Sequence, residues 1–408
     1  MKGTDFRAAY DYLIKIFREE GYLHIVMKEN SNKRVKKLVF GVIEKYYELD
    51  YIVTTLAKNS VKNNVRPMLY LGVYSLLYMD TPVNVVLNET GEALDEIGKG
   101  AVKNFAFALL KKVEKREYEL PKKSDKRYVE VKYNLPSWVV GMYKKDYPDK
   151  FEEIIGAKEF PLVHIRLNKN TKEEEILAAD KSAQKTDTGF FVRMNKEIEL
   201  LAFFGKITFM SYGSTLIVES MKIEKGETLL DVCAAPGGKA VYAAQKGAIV
   251  TACDVHEHRV ELIRAYAERM KTGVNAFKQD GTATVHKWIG AFDKVLVDAP
   301  CSGFGVIGKK RDVVFNRTYE DVQQLVKLQG EILDNACQYV KDGGVLTYST
   351  CTVFSMENGN VVDAFLSGHP EFGKEKIDLP YDNQGSIQFL PDGKGMEGFY
   401  VCRMRKKA

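Results

Sequence analysis

The spacing of apolar residues divides the chain into a helical first part and a mixed second part. From residue 5 to about 117, apolar side chains recur every three or four positions, as in the segment with Ala9, Leu13 and Ile16. This period lines one face of a helix, whereas strands would alternate with a period of two. The helical stretches are separated by breakers at Gly21, Asn63-Asn64, Pro67, Pro82, Gly98 and Gly100. The pattern predicts an all-helical bundle of six or seven helices, with most aromatic side chains in its core.

A charged, proline-containing stretch at residues 119–127 predicts a linker that ends a first domain of residues 1–118. Residues 128–214 then show a β-α-β-β order, which is typical of a small α+β subdomain. His164 alternates with the apolar positions of the first predicted strand, 163–168. We therefore expect its side chain to face solvent or a domain seam and not to bind a ligand.

From residue 215 onward, short apolar strands alternate with helical segments. The predicted strands are 229–233, 249–253, 276–278, 294–298 and 345–349, and the predicted helices are 239–245, 259–271, 283–289 and 319–340. Strands this apolar, alternating with helices, favour a parallel sheet that is covered on both faces and joined by right-handed crossovers. Residues 215–408 are thus predicted to form a Rossmann-like α/β domain, with a ligand beyond the carboxyl ends of the strands.

The charge distribution indicates a polyanionic partner for the first domain. The chain has 408 residues and a net charge of +5, and residues 1–127 hold 23 Lys and Arg against 17 Asp and Glu. Basic surfaces bind nucleic acid by neutralising phosphates, although a solvated helical face would look similar. No apolar run approaches the roughly 20 residues that span a bilayer, and no apolar leader segment is evident, so we expect a cytosolic protein without a membrane partner.

Acidic residues follow three neighbouring predicted strands. The first strand ends at Asp231 and leads into a strand-to-helix turn with Gly237 and Gly238, where backbone can approach a ligand closely. The second strand ends at Asp254, which can accept hydrogen bonds from ribose hydroxyls, and the third ends near Asp280, which can accept from an adenine amino group. Each acid alone could cap the next helix, but three behind a glycine turn favour a nucleoside cofactor.

Two of the six cysteines lie at strand ends. The scattered spacing of all six argues against zinc, any other metal and a disulfide framework. Cys233, Cys253, Cys337 and Cys402 fall within strand or helix patterns and read as small buried hydrophobes. Cys301 and Cys351 follow the fourth and fifth strands, where helix N-termini and Lys309, Lys310 or Arg311 could stabilise a thiolate. Two such thiols suggest covalent chemistry in two steps.

Several motifs carry a resemblance to a known family. The strings DVCAAPGGKA, ACDVH, KQDGT, DAPCSGFGVIGKKRDV and YSTCTVFSMEN resemble, in order and spacing, the motifs of RNA 5-methylcytosine methyltransferases of the RsmB/NOP family. The segment LYLGVYSLLYMDTPVNVVLNETGEA is similar to the NusB-type RNA-binding helical domain that small-subunit rRNA methyltransferases of this family carry. The resemblance therefore covers nearly the whole chain.

The resemblance implies S-adenosylmethionine as the cofactor and small-subunit rRNA as the partner. It implies that Asp254 holds the ribose, that Asp280 lies by the adenine, and that Asp298 lies between the methionine part and the target base. It makes Cys351 the nucleophile, and Cys301 the residue that assists product release. The implied cofactor loop comprises Cys233, Ala234, Ala235, Pro236, Gly237, Gly238 and Lys239.

The RNA target is expected to be a cytosine in a loop, or one flipped out of a helix, since a stacked base cannot reach such a site. Lys309, Lys310 and Arg311 would hold the flanking phosphates, and a monomer is expected. The chain departs from the family pattern at Arg311, where a proline is usual, and at Ser211-Tyr212, where Gln-Asp is usual. The alternatives are a catalytically silent RNA-binding, ribosome-assembly or antitermination factor, an enzyme acting on tRNA or another RNA, and a methyltransferase for a small molecule or protein.

Overall fold

A computed structural model describes residues 4–19, 21, 23–28, 30–57, 60–157, 160–168 and 171–408, and gives only the backbone of residues 24 and 25. Its internal contacts divide the chain into two compact units. One unit contains residues 1–151 and 310–318, and the other contains residues 152–309 and 319–408.

The first unit is helical throughout its described part, as the apolar spacing predicted. Seven helices lie between residues 5 and 114, and α8 and α9 follow the charged stretch that was predicted to be a linker. These helices are α1 Asp5–Arg18, α2 Leu23–Val26, α3 Lys33–Glu44, α4 Tyr46–Ala57, α5 Arg66–Tyr78, α6 Val83–Glu96, α7 Lys103–Glu114, α8 Tyr128–Tyr133 and α9 Ser137–Asp146.

Local sequence explains where these helices begin and what they bury. Thr4 caps α1, because its hydroxyl accepts a hydrogen bond from the Arg7 N–H at 3.2 Å, and Pro67 occupies the first turn of α5. The apolar stripe of α1, which includes Phe6 and Leu13, is fully buried against the other helices. The aromatic side chains of this unit therefore lie largely in its core.

Residues 310–318 join the helical unit although they lie between elements of the other unit in sequence. The Phe315 ring packs on Phe17 and Tyr46, with ring centroids 5.0 and 4.8 Å apart. The buried carboxylate of Asp312 accepts a hydrogen bond from the Leu23 N–H at 2.8 Å. The division into residues 1–118, 119–127, 128–214 and 215–408 stays a prediction, and the contacts group α8 and α9 with the helical unit.

The second unit contains a small antiparallel sheet with the strand order β2-β3-β1-β4. Its elements are β1 Val163–Leu167, α11 Glu173–Ala179, β2 Gln184–Thr186, β3 Gly189–Val192, α12 Lys196–Phe203 and β4 Ile207–Phe209, preceded by α10 Phe151–Gly156. The sequence pattern did not indicate β2, which is short and polar.

The prediction that His164 faces solvent is wrong, and its place at a domain seam stays a prediction. Its side chain is buried, with Nδ1 2.8 Å from the Met210 carbonyl oxygen and Nε2 3.0 Å from the Thr186 hydroxyl. Burial lowers the pKa of His164 to about 4, so the ring is neutral near pH 7. Thr186, whose hydroxyl is the partner of His164 Nε2, belongs to strand β2, which the sequence did not predict.

The large sheet follows the predicted alternation of strands and helices. Its strand order is β10-β12-β9-β8-β5-β6-β7, and the five strands from β5 to β9 are parallel. The elements are α13 Tyr212–Ser220, β5 Thr228–Asp231, α14 Gly238–Gln245, β6 Ile249–Asp254, α15 Glu257–Arg269, β7 Val274–Lys278, β8 Phe292–Asp298, α16 Tyr319–Ala336, β9 Val340–Thr350, α17 Gly359–Gly368, β10 Phe372–Lys374, β11 Ser386–Phe389 and β12 Phe399–Lys406. The predicted fold class is confirmed.

Two local expectations for this sheet need correction. The helix predicted over residues 283–289 is only a single 3₁₀ turn, His286–Trp288. The N–H of Val285 donates to the hydroxyl of Tyr339 at 2.9 Å and not to a carbonyl of its own segment. Strands β10, β11 and β12 were not predicted, and β12 includes Arg403, whose buried guanidinium pairs with Glu375 at 2.9 Å.

Candidate active site

The candidate site lies where the order of the parallel strands reverses. The chain runs outward from β5 to β6 and β7, then returns to place β8 on the opposite side of β5. Side chains at the carboxyl ends of β5 and β8 therefore border the crevice in which sheets of this kind bind ligands. Asp231 ends β5 and Asp298 ends β8, while Cys351 directly follows β9.

The predicted cofactor loop, residues 233–239, connects β5 to the N-terminus of α14. Gly237 has φ +105°, and a Cβ there would lie 3.2 Å from the Cα of Ile263, so the residue must be small. A Cβ added at Gly238 would meet nothing within 4 Å, which leaves open space beside the first turn of the helix. The Ala235–Pro236 peptide bond is cis, and the Ala234 N–H donates to the Cys253 carbonyl at 2.8 Å.

Asp231 is the most unusual acid of the site. Both carboxyl oxygens are buried and accept no well-formed hydrogen bond. Burial, with a smaller contribution from the charge of Asp298, raises the pKa of Asp231 to about 8. Buried polar groups are normally satisfied, so this carboxyl fits a site that receives a polar ligand atom.

Asp254 and Asp280 have the positions that the strand ends predicted. Asp254 is buried at the end of β6, accepts from the His256 N–H at 3.1 Å and lies 3.4 Å from the Arg259 guanidinium. The same guanidinium is 3.5 Å from the Ala235 carbonyl oxygen, which links Asp254 to the glycine loop. Asp280 is exposed, and hydrogen bonds from the N–H and hydroxyl of Thr282 lower its pKa.

Lys239 belongs to the site in a different way from the one that the loop suggested. Its ammonium donates to Oδ2 of Asp298 at 2.6 Å, and the Ser349 hydroxyl donates to Oδ1 of Asp298 at 2.8 Å. Burial alone would lower the pKa of Lys239, but the charge and hydrogen bond of Asp298, together with the charge of Asp231, raise it overall. Lys239 and Asp298 thus form a half-buried ion pair in which the Asp298 carboxylate accepts two hydrogen bonds.

The two strand-end cysteines lie side by side. Cys301 Sγ is 3.3 Å from Cys351 Sγ and also 3.3 Å from the Cys351 backbone nitrogen. The hydrogen bond to Cys351, followed by burial, raises the pKa of Cys301 well above its usual value. Cys351 lies two residues after Ser349, which pairs with Asp298 across the sheet and donates to its carboxylate, so the thiols lie at the same strand ends as the ion pair.

The remaining cysteines are placed as the sequence indicated. Cys253, Cys337 and Cys402 are buried, and burial raises the pKa of each thiol. Cys233 is half-buried, and its pKa is raised well above the usual value by loss of solvation. None of the six cysteines forms a disulfide bond. Cys301 and Cys351 form a pair of neighbouring thiols at the sheet edge that carries Asp298.

The three basic residues after the Pro-Cys motif are not equivalent. Lys309 pairs with Glu397 at 2.6 Å in the second unit. Lys310 and Arg311 begin the segment of residues 310–318 that belongs to the helical unit. Their assignment to RNA phosphates stays a prediction.

Several polar residues of the site were not singled out from the sequence. Ser349 and the buried residues Ser302, Gln329, Glu357 and Asn358 connect or support the two cysteine-bearing loops. Glu357 and Asn358 are the last two letters of the string YSTCTVFSMEN, which is the signal that could have found them.

In the described part of the chain, no group of three or more His, Cys, Asp or Glu side chains is arranged to hold a metal ion. No helix within the described ranges is long and apolar enough to cross a membrane.

Comparisons with known proteins agree with this geometry. The family model for the 16S rRNA methyltransferase RsmB/F matches residues 218–405, and the NusB family model matches residues 8–115. A probable ribosomal RNA small subunit methyltransferase B of Bacillus subtilis is 29% identical over 100% of both chains. The ribosomal RNA small subunit methyltransferase B of Escherichia fergusonii is 30% identical over 93% of this chain and 92% of its own.

Solved structures show the same fold. The crystal structure of PH0851 has a TM-score of 0.85 and 23% identity, and the match covers 98% of each chain. The structure of NSun6 from Pyrococcus horikoshii with SFG has a TM-score of 0.58 and 16% identity, over 67% of this chain and 98% of that one. Together with the full-length relatives, these findings show that the chain is an rRNA methyltransferase and belongs to the RsmB/F family of 16S rRNA methyltransferases.

Proposed function

We propose that the protein transfers a methyl group to carbon 5 of a cytosine in small-subunit rRNA through a covalent bond between Cys351 and the base. The observation that carries this proposal is the pair of thiols, 3.3 Å apart, beside the Lys239–Asp298 ion pair. Membership of the family makes S-adenosylmethionine the methyl donor, as the sequence predicted.

The residues of the glycine loop fit this cofactor. Gly238 leaves room for backbone to approach a ligand, and Asp231 offers a buried carboxyl without a partner. Asp254 and Asp280 follow the next two strands, where they suit the ribose and the adenine. These residues would hold a cofactor whose sulfonium supplies the methyl group, with the sulfur keeping the bonding electron pair and leaving as a neutral thioether, while side chains of this protein prepare carbon 5 of the cytosine to attack.

Cys351 activates the base. Carbon 5 of cytosine is a weak nucleophile, so the Cys351 thiolate adds to carbon 6 and forms a sulfur–carbon bond. The electron pair of the carbon 5–carbon 6 double bond then makes carbon 5 able to attack the methyl group. The nearby ammonium of Lys239 favours the thiolate form of Cys351.

Asp298 orients the base as a hydrogen-bond acceptor. Because Lys239 and Ser349 already donate to its oxygens, Asp298 suits a further hydrogen bond from the amino group of cytosine. An acceptor carboxylate does not itself stabilise negative charge on the ring. The negative charge that develops on the ring is therefore better stabilised by the Lys239 ammonium next to it.

Cys301 acts after the methyl group has moved. The proton on carbon 5 must leave before the bond between Cys351 and carbon 6 can break and restore the thiolate. Cys301 Sγ lies 3.3 Å from Cys351 Sγ, so it is next to the base that Cys351 holds. A Cys301 thiol that has passed its own proton to solvent can accept the carbon 5 proton as a thiolate.

The test uses S-adenosylmethionine with a tritiated methyl group and a small-subunit rRNA transcript. Wild-type protein should produce 5-methylcytosine, and Cys351→Ala should abolish transfer. Cys301→Ala should accumulate a protein–RNA adduct that survives denaturant. Adduct that accumulates with Cys351→Ala instead would reverse the two roles, and RNA binding without transfer by the wild type would favour a silent assembly factor.

A further inference from the structure

Glu357 is a buried carboxylate next to the candidate site. It lies in the 3₁₀ turn Ser355–Glu357 after β9, and its side chain is fully buried. One carboxyl oxygen accepts from the Ser302 N–H at 2.8 Å and from the Gln329 amide at 3.1 Å. The other accepts from the Ser302 hydroxyl at 2.5 Å. Glu357 is thus held by three donors from outside its own segment.

These contacts join the segments that carry the two cysteines. Ser302 directly follows Cys301, and its hydroxyl lies 3.1 Å from that of Thr352, which directly follows Cys351. Gln329 on α16 also donates to the Pro300 carbonyl at 2.9 Å, on the other side of Cys301. The residues that flank Cys301 are therefore fixed by Glu357 and Gln329.

Cys351 is bracketed in a similar way by Asn358, the neighbour of Glu357. The amide oxygen of Asn358 accepts from the Thr350 hydroxyl at 2.5 Å, and its amide nitrogen donates to the Thr352 carbonyl at 3.1 Å. Thr350 and Thr352 are the residues on either side of Cys351. The pair Glu357 and Asn358 thus supports both cysteine loops from one short turn.

A buried carboxylate is a costly way to stabilise a fold, because loss of its solvation offsets much of what its hydrogen bonds contribute. Burial raises the pKa of Glu357, and the donors from Ser302 and Gln329 oppose that rise. These hydrogen bonds are to neighbours of the cysteines and not to the thiols themselves. Its contacts instead suit a residue that sets the position of reacting groups.

We propose that Glu357 is a positioning residue that holds the Cys301 and Cys351 loops at the separation required for methyl transfer. The catalytic role of this separation rests on the proposed function. The fixed positions of the two thiols can be measured without cofactor or RNA.

The test compares Glu357→Gln with a matched control, Asp180→Asn. Asp180 is also a buried carboxylate that accepts from the N–H and the hydroxyl of one serine, Ser182, at 2.9 and 2.6 Å. It lies in the small sheet region and has no contact with the cysteine loops among its hydrogen bonds. Both variants lose a buried negative charge, so the control reports the effect of that loss alone.

Glu357→Gln should lower kcat for methyl transfer by about tenfold or more with little change in KM for RNA, since small misplacement of reacting groups has effects of this size. Ser302→Ala should lower kcat less, and the double variant should be no worse than Glu357→Gln, because both changes break the same contact. Asp180→Asn should retain wild-type kcat. Equal kcat in Glu357→Gln and wild type would overturn the proposal.

Thiol alkylation provides a second measurement that does not depend on catalysis. In free protein, iodoacetamide should modify Cys301 and Cys351 several-fold faster in Glu357→Gln than in wild type or Asp180→Asn, because the loops are less fixed. Unchanged alkylation would overturn the positioning role even if kcat fell. Absence of methyl transfer by wild type would contradict the proposed function, while the alkylation rates would still decide the role of Glu357.

Discussion

Asp231 shows how one residue can be suited to a ligand and costly to the fold. Its carboxyl ends a central strand, is fully buried and has no hydrogen-bond partner. Water cannot solvate the ionised form there, and Asp298 adds a negative charge nearby, so the pKa of Asp231 rises to about 8. Without a ligand, the folded protein therefore holds a proton on Asp231 that the unfolded chain would release.

The proton held by Asp231 makes the free energy of unfolding depend on pH. The folded-state pKa of about 8 lies above the ordinary value of 3.8, so the associated stability is complete below pH 4 and is lost as pH rises through 8. Relative to Asp231→Asn, wild type should lose up to about 1.4 kcal/mol of unfolding free energy per pH unit between these limits. Urea unfolding of both proteins at pH 5, 6 and 7, without cofactor, measures the difference. A difference that is constant with pH would show that Asp231 titrates normally.

At the scale of elements, two glycines let backbone segments meet beside Cys351. The Gly305 N–H donates to the Cys351 carbonyl at 3.0 Å, and the Gly398 N–H donates to the Gly305 carbonyl at 2.7 Å. A Cβ on Gly305 would lie 2.1 Å from the Gly398 carbonyl oxygen and 2.8 Å from that of Cys351. The turn after Cys301, the end of β9 and the start of β12 are thus packed through backbone atoms.

Gly305→Ala should therefore displace Cys351 and reduce both stability and methyl transfer. The overlap is with backbone atoms, so we expect a loss of about 1–3 kcal/mol in unfolding free energy. Gly308→Ala is the matched control in the same loop, since a Cβ there would meet nothing within 4 Å. Thermal unfolding and methyl-transfer rates of both variants test this, and equal behaviour of the two would contradict the close approach.

The sequence predicted the elements whose pattern is local and missed those that depend on distant contacts. The helical spacing of apolar residues predicted the bundle. The apolar strands, with Asp254 and Asp298 at their ends, predicted the parallel sheet and the edge of it that carries the candidate site. The distance between Cys301 and Cys351 depends on the pairing of β8 with β9, which spacing alone does not specify. The buried state of His164 required β2, a polar strand without an apolar signature. Glu357 was missed because a buried acid in a polar segment looks like any exposed glutamate.

At the scale of the whole molecule, the chain combines a NusB family segment with a methyltransferase segment. The net positive charge lies in residues 1–127, which contain the first of these segments and have 23 basic and 17 acidic side chains. Its aromatic side chains are largely used in its own core. Affinity for RNA is then expected to come from phosphate contacts, and less from bases stacked on aromatic side chains of this segment.

The basic residues after the Pro-Cys motif allow a specific test of this electrostatic binding. Each phosphate contact that is lost should reduce the slope of log affinity against log salt concentration by about 0.7 to 0.9. Lys310→Gln and Arg311→Gln should each reduce the slope by about this amount for an rRNA transcript. Lys309→Gln should reduce it less, because Glu397 already neutralises Lys309 at 2.6 Å. Filter binding between 50 and 200 mM salt, roughly the range over which such effects are large, measures the slopes. Three equal reductions would show that RNA displaces Glu397 from Lys309, and no reduction for Lys310 or Arg311 would remove them from the RNA interface.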